Sequence, residues 1–356
     1  MVCISVDLNP EQLLRLGFAE HWQAVWQARP DAVPARLARV DRSRAVAWSV
    51  DQVFEIDLAL YPGKYDLTVG DWLLLEVTDG VALPLERLPR HGCIQRRAAG
   101  ERADQQLIAA NLDTLFIVSS CNTDFSLERL ERYLALALDA QVEPVIVLTK
   151  MDQCDAVQDY VGPASALSPG LRVEAVNAKD PASVEVLNAW CGAGQTVALV
   201  GSSGVGKSTL INALCDDEQD TQQARDGDNK GRHTTTARSL HWLRAGGLIV
   251  DTPGMRELQL PGCEDGLDAL FEDVVGHLGQ CRFNDCAHQG EPGCAIAAAI
   301  DSGALSQRRW QSYEKLQREQ AQNARSIAER NAHDKTLTRS YKRYQREARG
   351  VKGRRS

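Results

Sequence analysis

The sequence predicts a mixed α/β chain in which a doubly wound, mainly parallel sheet follows a small β-barrel and precedes a short cysteine-rich segment. Three observations carry this expectation. Strand and helix patterns alternate from Leu107 onward, and apolar residues recur with period two, without helices between them, from Ala35 to Leu88. A glycine-rich turn, Gly201 to Thr209, stands between an apolar strand and an apolar helix.

Residues 1–34 read as an N-terminal helical extension, with Leu13, Leu14, Leu16 and Phe18 followed by Trp22 and Trp26, ending near Pro30 and Pro34. The barrel and a basic connector, "RLPRHGCIQRRAAGER", are expected over 35–106. Five short strands are read there: "ARLARVD", "RAVAWSVD", "VFEIDLAL", "DWLLLEV" and "ALPLERL". An OB-fold is among the simplest arrangements of five such strands, and many barrels of this kind bind oligonucleotides.

Residues 107–260 carry "TLFIVSS", a helix with Leu127, Leu130, Leu134 and Leu138 in one stripe, then "PVIVLT", "LRVEAV", "TVALVG" and "GLIVDT". These imply a parallel sheet with helices on both faces. A cysteine-rich domain is placed at 261–305 and a basic helical tail at 306–356.

Composition narrows the classes. The 356 residues are 44% hydrophobic, enough for about two or three domains with real cores. No apolar run approaches the roughly 20 residues of a membrane span, and the first residues lack a secretory pattern, so a cytoplasmic protein without a membrane partner is expected. Cys3, Cys93, Cys121, Cys154, Cys191 and Cys215 are scattered singly and read as small hydrophobes. The net charge is −8, yet residues 308–356 hold 15 Lys/Arg against 5 Asp/Glu, leaving −18 on the rest. Such a tail suits either local contact with nucleic acid or a solubilising helix.

The chemistry begins at "GSSGVGKST". Gly201, Ser202, Ser203, Gly204, Val205, Gly206, Lys207, Ser208 and Thr209 match a phosphate-binding loop. Backbone N–H groups and a helix N-terminus cradle a β-phosphate, Lys207 reaches the β/γ oxygens, and the Ser208 hydroxyl ligates Mg²⁺. "GLIVDTPGMRE" supplies Asp251 as a second magnesium residue and Gly254 as a γ-phosphate sensor. The polar stretch between them ends in Thr234, Thr235 and Thr236, one of which offers a hydroxyl to the metal when the loop orders; Thr235 is taken as that residue.

"LTKMD" supplies a base reader: Thr149, Lys150, Met151 and Asp152 end a strand, with Asp152 accepting from guanine and the Lys150 stem packing along the ring. Ala178 in "VNAKD" offers its backbone to the guanine O6. The base motif precedes the phosphate loop, the reverse of the usual order. Ligands bind at the carboxyl ends of strands in doubly wound sheets, so position in space matters more than chain order. A circular permutation gives the order TKMD, NAK, GSSGVGKST, HTTT, DTPG read here.

Cys281-x4-Cys286-x-His288-x5-Cys294 places three thiolates and an imidazole within 14 residues, the ligand set of one structural, tetrahedral zinc. His277 and Cys263 are reserve ligands.

With the permuted order, the barrel ahead and the zinc cluster behind, the chain resembles the bacterial circularly permuted, ribosome small-subunit-dependent GTPases. The similarity covers about residues 35–320. It rests on "QLIAANLDTLFIVSSCNTDFSLERLERYLALA", "LTKMD", "GSSGVGKSTLINAL", "GRHTTT", "DTPGMRE" and "CRFNDCAHQGEPGCAI". The resemblance implies a circularly permuted P-loop GTPase domain with an N-terminal OB-fold β-barrel and a C-terminal zinc-binding helical domain. It further implies a monomer that binds GTP and GDP with Mg²⁺, grips ribosomal RNA with its outer domains and meets other assembly factors. Hydrolysis would be stimulated by the small subunit late in its maturation. Asn177 departs from the more usual Ser.

Met255 occupies the position after DxxG where many GTPases carry a glutamine that orients water, so hydrolysis is expected to be slow alone. His233 is a candidate for the missing group, with a solvent-exposed loop histidine as the alternative. Two rival readings are a P-loop ATPase or kinase, and a non-catalytic scaffold locked by nucleotide.

Overall fold

The computed structural model describes residues 10–41, 43–50, 52–61, 66–97, 105–215, 238–251 and 263–322. Among these the chain divides into two compact units, one built from residues up to 94, 107–258 and 265–270, the other from 95–106, 259–264 and residues from 271 onward.

The first unit opens with short helical pieces, Pro10–Arg15, Glu20–Trp22 and Gln23–Gln27, rather than one long helix. Leu13, Leu16, Phe18 and Trp22 are buried; Phe18 meets Trp72 edge to face with centroids 5.0 Å apart, and Trp22 lies tilted against them at 5.6 and 6.0 Å. The aromatic spacing thus reports a packed cluster, while Leu14 stays exposed.

Five strands follow: β1 (Val33–Val40), β2 (Arg44–Trp48), β3 (Val53–Asp57), β4 (Trp72–Thr78) and β5 (Val81–Arg87). They pair in the order β3-β2-β1-β4-β5, and β3 and β5 lie against each other, as a small barrel requires. Register shifts between Leu37 and Arg39 and between Leu74 and Leu75 supply the bends that closure needs. Phe54, Ile56 and Leu58 fill the barrel with Leu37, Leu73 and Leu75. The expected strand "VFEIDLAL" stops early, because the Asp57 carboxylate accepts from the Ala59 N–H at 2.8 Å and caps a turn of 3₁₀ helix.

β6 (Cys93–Arg97) and β7 (Gln105–Ala110) form a two-stranded ribbon. Next come β8 (Thr114–Ser120), β9 (Glu143–Thr149), β10 (Arg172–Ala175), β11 (Thr196–Val200), β12 (Ser239–Trp242) and β13 (Leu248–Asp251). The sheet runs β10-β9-β8-β11-β13-β12, parallel except for β12. β8 and β11 are buried throughout, the pattern of strands covered on both faces.

The helix Leu127–Asp139 covers the sheet after an N-cap at Ser126, which accepts from the Arg129 N–H. Its buried face carries Leu130, Tyr133, Leu134 and Ala137, while Leu127 and Leu138 are half-buried, so the face is wider than the leucine stripe predicted.

Sequence reading missed β6 and β7, in and after the basic connector, and it missed β12. Four residues, "SLHW", following a polar stretch give too short a signal. It closes the sheet antiparallel to β13 and also pairs with β1 at Arg39 and Ser239. Trp48 and Trp242 stack across that junction at 6.0 Å with planes 2° apart.

The second unit holds the cysteine segment, the helices Glu272–Val275 and Ala295–Asp301, and a helix over 307–322. Phe271, Val274, Ile296, Ala299, Tyr313 and Leu316 are buried in it. Arg309 lies 4.2 Å over the Phe271 ring and forms an ion pair with Asp273.

Candidate functional site

The phosphate loop leaves β11 after Val200 and enters the helix Lys207–Leu214. At Gly201 the backbone has φ +146, and a Cβ built there would sit 2.2 Å from the Val118 carbonyl oxygen. Only glycine lets the loop pass over β8 this closely. The Lys207 ammonium is drawn back over the loop, donating to the Gly201 carbonyl at 2.7 Å and to the Ser202 carbonyl. Ser203, Gly204, Ser208 and Thr209 are exposed, and Val205 is buried beneath the loop.

"TKMD" comes to the same edge from β9, two strands away. The Thr149 hydroxyl lies 3.1 Å from the Ser119 carbonyl and 2.5 Å from the Val205 carbonyl. Lys150, in the left-handed region at φ +60, donates its ammonium to the Gly204 carbonyl at 2.8 Å. The two motifs, more than fifty positions apart in sequence, are therefore hydrogen-bonded neighbours. Asp152 is exposed, and its carboxylate has no hydrogen-bond partner among the described residues.

β10 brings the third motif alongside. The Met151 N–H donates to the Val176 carbonyl at 3.5 Å. The Asn177 side chain accepts from the Lys179 N–H at 3.0 Å, and the Asn177 N–H donates to the Ser183 hydroxyl at 2.8 Å, fixing the turn that presents Ala178. A short polar side chain is all this turn requires, which accounts for Asn in place of Ser. Asp251 ends β13, the strand beside β11. His233, Thr234, Thr235, Thr236, Gly254 and Met255 lie outside the described residues.

One residue at this edge went unread in the sequence. The Arg129 guanidinium donates to the Ser202 hydroxyl at 2.5 Å and to the Asp124 carboxylate at 3.2 Å, bracing the first turn of the loop from the neighbouring helix. Its place within "LERLER" gives no hint, because such a charge usually faces solvent. Two connector arginines are likewise engaged: Arg87 pairs with Asp66 at 3.2 Å and Arg90 with the buried Asp71 at 2.5 Å. Burial pushes the Asp71 carboxyl up, and the Arg90 guanidinium draws it back down.

In the second unit, the donor atoms of Cys281, Cys286, His288 and Cys294 all lie within 4.8 Å of one another. His288 Nδ1 is 3.5, 3.8 and 3.5 Å from the three sulfurs. Tetrahedral zinc with ordinary Zn–S and Zn–N bonds separates such atoms by about 3.6 Å, so the set fits that metal. His277 and Cys263 are not in the group. The Ala295 N–H donates to Cys281 Sγ at 3.3 Å and holds this thiol below its ordinary range. Glu291 accepts from the Ala287 and Gln289 N–H groups at 3.1 and 2.7 Å, folding the loop between Cys286 and Cys294.

The sheet order explains the inverted motifs. β8, β9 and β10 precede the phosphate-loop strand in sequence yet extend the sheet on one side of it, while β13 and β12 follow and extend it on the other. The described residues include no helix long and apolar enough to cross a membrane.

Comparison with known proteins agrees with this arrangement. Residues 87–261 match the family model of the RsgA GTPase. A Vibrio parahaemolyticus protein named small ribosomal subunit biogenesis GTPase RsgA 2 is 51% identical over 279 residues, 78% of this chain and 77% of the relative. A Mesorhizobium japonicum protein named small ribosomal subunit biogenesis GTPase RsgA is 45% identical over 326 residues, 90% and 93% of the two chains. The crystal structure of YjeQ from Thermotoga maritima shares the fold, with a TM-score of 0.61 and 24% identity over 82% of this chain and 99% of that one. The crystal structure of YloQ, titled a circularly permuted GTPase, does so with a TM-score of 0.59 and 24% identity over 82% and 96%. A phosphate loop bonded to a base motif that precedes it, in a chain this similar to those relatives, is the arrangement of a circularly permuted GTPase, and the chain belongs to the RsgA GTPase family.

Proposed function

We propose that this chain hydrolyses GTP during biogenesis of the small ribosomal subunit, with the subunit and its RNA as the partner that stimulates turnover. The observation that supports the reading is the bonding of Thr149 and Lys150 to the phosphate loop; in this reading the neighbouring Asp152 faces the base of a bound nucleotide. An ATPase or kinase has no need of that carboxylate.

In this reading Asp152 accepts from guanine, Lys150 packs along the ring, and Ala178 offers its N–H to the base. The backbone from Gly201 to Thr209 holds the phosphates. Ser208, Asp251 and Thr235 serve Mg²⁺, and Gly254 senses the γ-phosphate. Lys207, folded onto its own loop carbonyls, turns toward the β/γ oxygens when nucleotide arrives. His233 positions the attacking water once the subunit orders its loop. Cys281, Cys286, His288 and Cys294 hold one structural zinc, and with four protein ligands no position is left for a catalytic water. The barrel (35–106), the nucleotide domain (107–260) and the zinc domain (261–305) act together as a cytoplasmic monomer that meets other assembly factors on the subunit.

The test is GTP hydrolysis measured with the protein alone, with small subunits, with large subunits and with naked rRNA. Stimulation by small subunits alone is expected. Equal turnover in all four, or turnover of ATP in place of GTP, overturns the reading.

A further inference from the structure

Phe283 is 46% exposed, the one large apolar side chain of the second unit that faces solvent among the described residues. It sits at the tip of the loop between Cys281 and Cys286. The Arg282 guanidinium lies over its ring, 5.5 Å from the centroid.

The arrangement is held in place. The Arg282 N–H donates to the Gly293 carbonyl at 3.0 Å, and the Cys286 N–H donates to the Phe283 carbonyl at 3.3 Å. The stem of Arg282 crosses Gly293, where an added Cβ would come within 2.8 Å of Arg282 Cβ and 3.3 Å of its Cδ. Two positions of the candidate metal site, Cys281 and Cys286, flank the loop. Among the described residues Arg282 has no carboxylate partner, whereas Arg309 of the same unit is tied to Asp273.

An exposed aromatic ring with a planar cation over one face offers stacking surface on its other face and on the guanidinium. An isolated phenyl ring is too small to anchor a protein interface, which buries hundreds of Å² on each side. It does fit one unstacked nucleobase, whose π-face stacks on phenyl and guanidinium alike while the charge offsets the adjoining phosphate. The exposed Asp285 beside it disfavours the continuous phosphate rails of a duplex.

We propose that Arg282 and Phe283 form a binding site for a single unpaired RNA base. This rests on the ribosomal reading above and assigns residues to it. The test uses the full-length, zinc-loaded chain with a fluorescent ten-nucleotide oligouridylate, an RNA duplex and purified small subunits. Phe283→Ala should weaken single-strand binding roughly 5- to 100-fold with an unchanged salt slope, and leave duplex binding as it was. Phe283→Trp should retain affinity. Phe283→Leu, which keeps the apolar bulk and the loop but has no π-face, should bind as weakly as the alanine variant. Arg282→Ala should lower both affinity and salt slope. Wild-type affinity in Phe283→Leu would mean a merely apolar contact and overturns the proposal, as does full affinity in Phe283→Ala. If the wild-type chain is not stimulated by small subunits, the ribosomal reading fails instead, a different outcome seen in a different assay.

Discussion

The Arg36 guanidinium donates to the Thr196 hydroxyl at 2.8 Å, joining the barrel's first strand to the strand that ends in the phosphate loop. The same side chain, fully buried, donates to the carbonyls of Leu16 at 2.6 Å, Gly70 at 3.3 Å and Asn111 at 2.8 Å. Burial lowers its pKa to about 10, opposed by the charges of Asp113 and Asp71. It remains protonated at neutral pH and saturates acceptors from four separate segments.

Arg36→Met therefore strands buried acceptors, and a loss on the order of 3 kcal/mol or more in urea unfolding is expected. Arg36→Lys keeps the charge but lacks the fork that reaches four acceptors, and should lose a similar amount. A lysine variant within about 1 kcal/mol of wild type would show that charge alone matters.

Thr149→Val removes the hydroxyl that lies between the Ser119 and Val205 carbonyls. The phosphate loop then loses one of its two ties to the base motif, keeping the Lys150 bond to the Gly204 carbonyl. GTP affinity should fall about 3- to 10-fold, near 1 kcal/mol, with little change in the far-ultraviolet spectrum. Titration with a fluorescent GTP analogue reads this directly, and undiminished affinity would contradict it.

Asp152→Asn replaces an acceptor of two guanine donors with a group that accepts and donates. GTP binding should weaken roughly 100-fold while xanthosine triphosphate binding improves, since its C2 carbonyl accepts from the new amide. Competition between the two nucleotides is the measurement. Unaltered GTP binding would show that Asp152 does not read the base.

Gly201→Ala forces a Cβ to within 2.2 Å of the Val118 carbonyl at a φ of +146. The Val118 backbone on one side and the buried Val205 side chain at 3.3 Å leave little room to move, so loss of nucleotide binding and several degrees of melting temperature are expected. Calorimetric titration with GDP together with a thermal melt tests both.

Stripping the metal with a chelator should expose Cys281 and Cys286 to alkylation and destabilise the unit around them. Cys191 is fully buried, and desolvation pushes its thiol up to about 12, so it stays unmodified at neutral pH until the chain unfolds. Mass mapping of alkylated cysteines with and without chelator distinguishes these classes. Equal labelling of Cys281 in both states would remove the case for zinc.

Much of the fold was readable because its signals are local. Alternation of Phe54 and Ile56 marked a barrel strand, and the unbroken run Thr196–Val200 marked a sheet strand buried on both faces. Gly201 to Thr209 and Cys281 to Cys294 are contiguous motifs whose spacing is dictated by a phosphate and by a tetrahedral ligand shell. β12 was not legible, since four residues are too few to carry a period, even with Gly246 and Gly247 close behind. Its strand character comes from β13 on one side and β1 on the other.

Residue types and spacing were enough to mark the parallel strands of the sheet and to single out the candidate phosphate loop, base motif and four metal donors. The inverted motif order alone pointed to the permutation. Long-range closure belonged to the tertiary structure. That Thr149 touches Val205, that Arg129 braces Ser202 and that Arg36 joins four segments depend on contacts 56, 73 and up to 160 positions apart. Local preference has no term for such contacts: a hydroxyl or guanidinium looks solvent-seeking in sequence until folding removes the water around it. Only then does the need to satisfy buried carbonyls decide where each side chain goes.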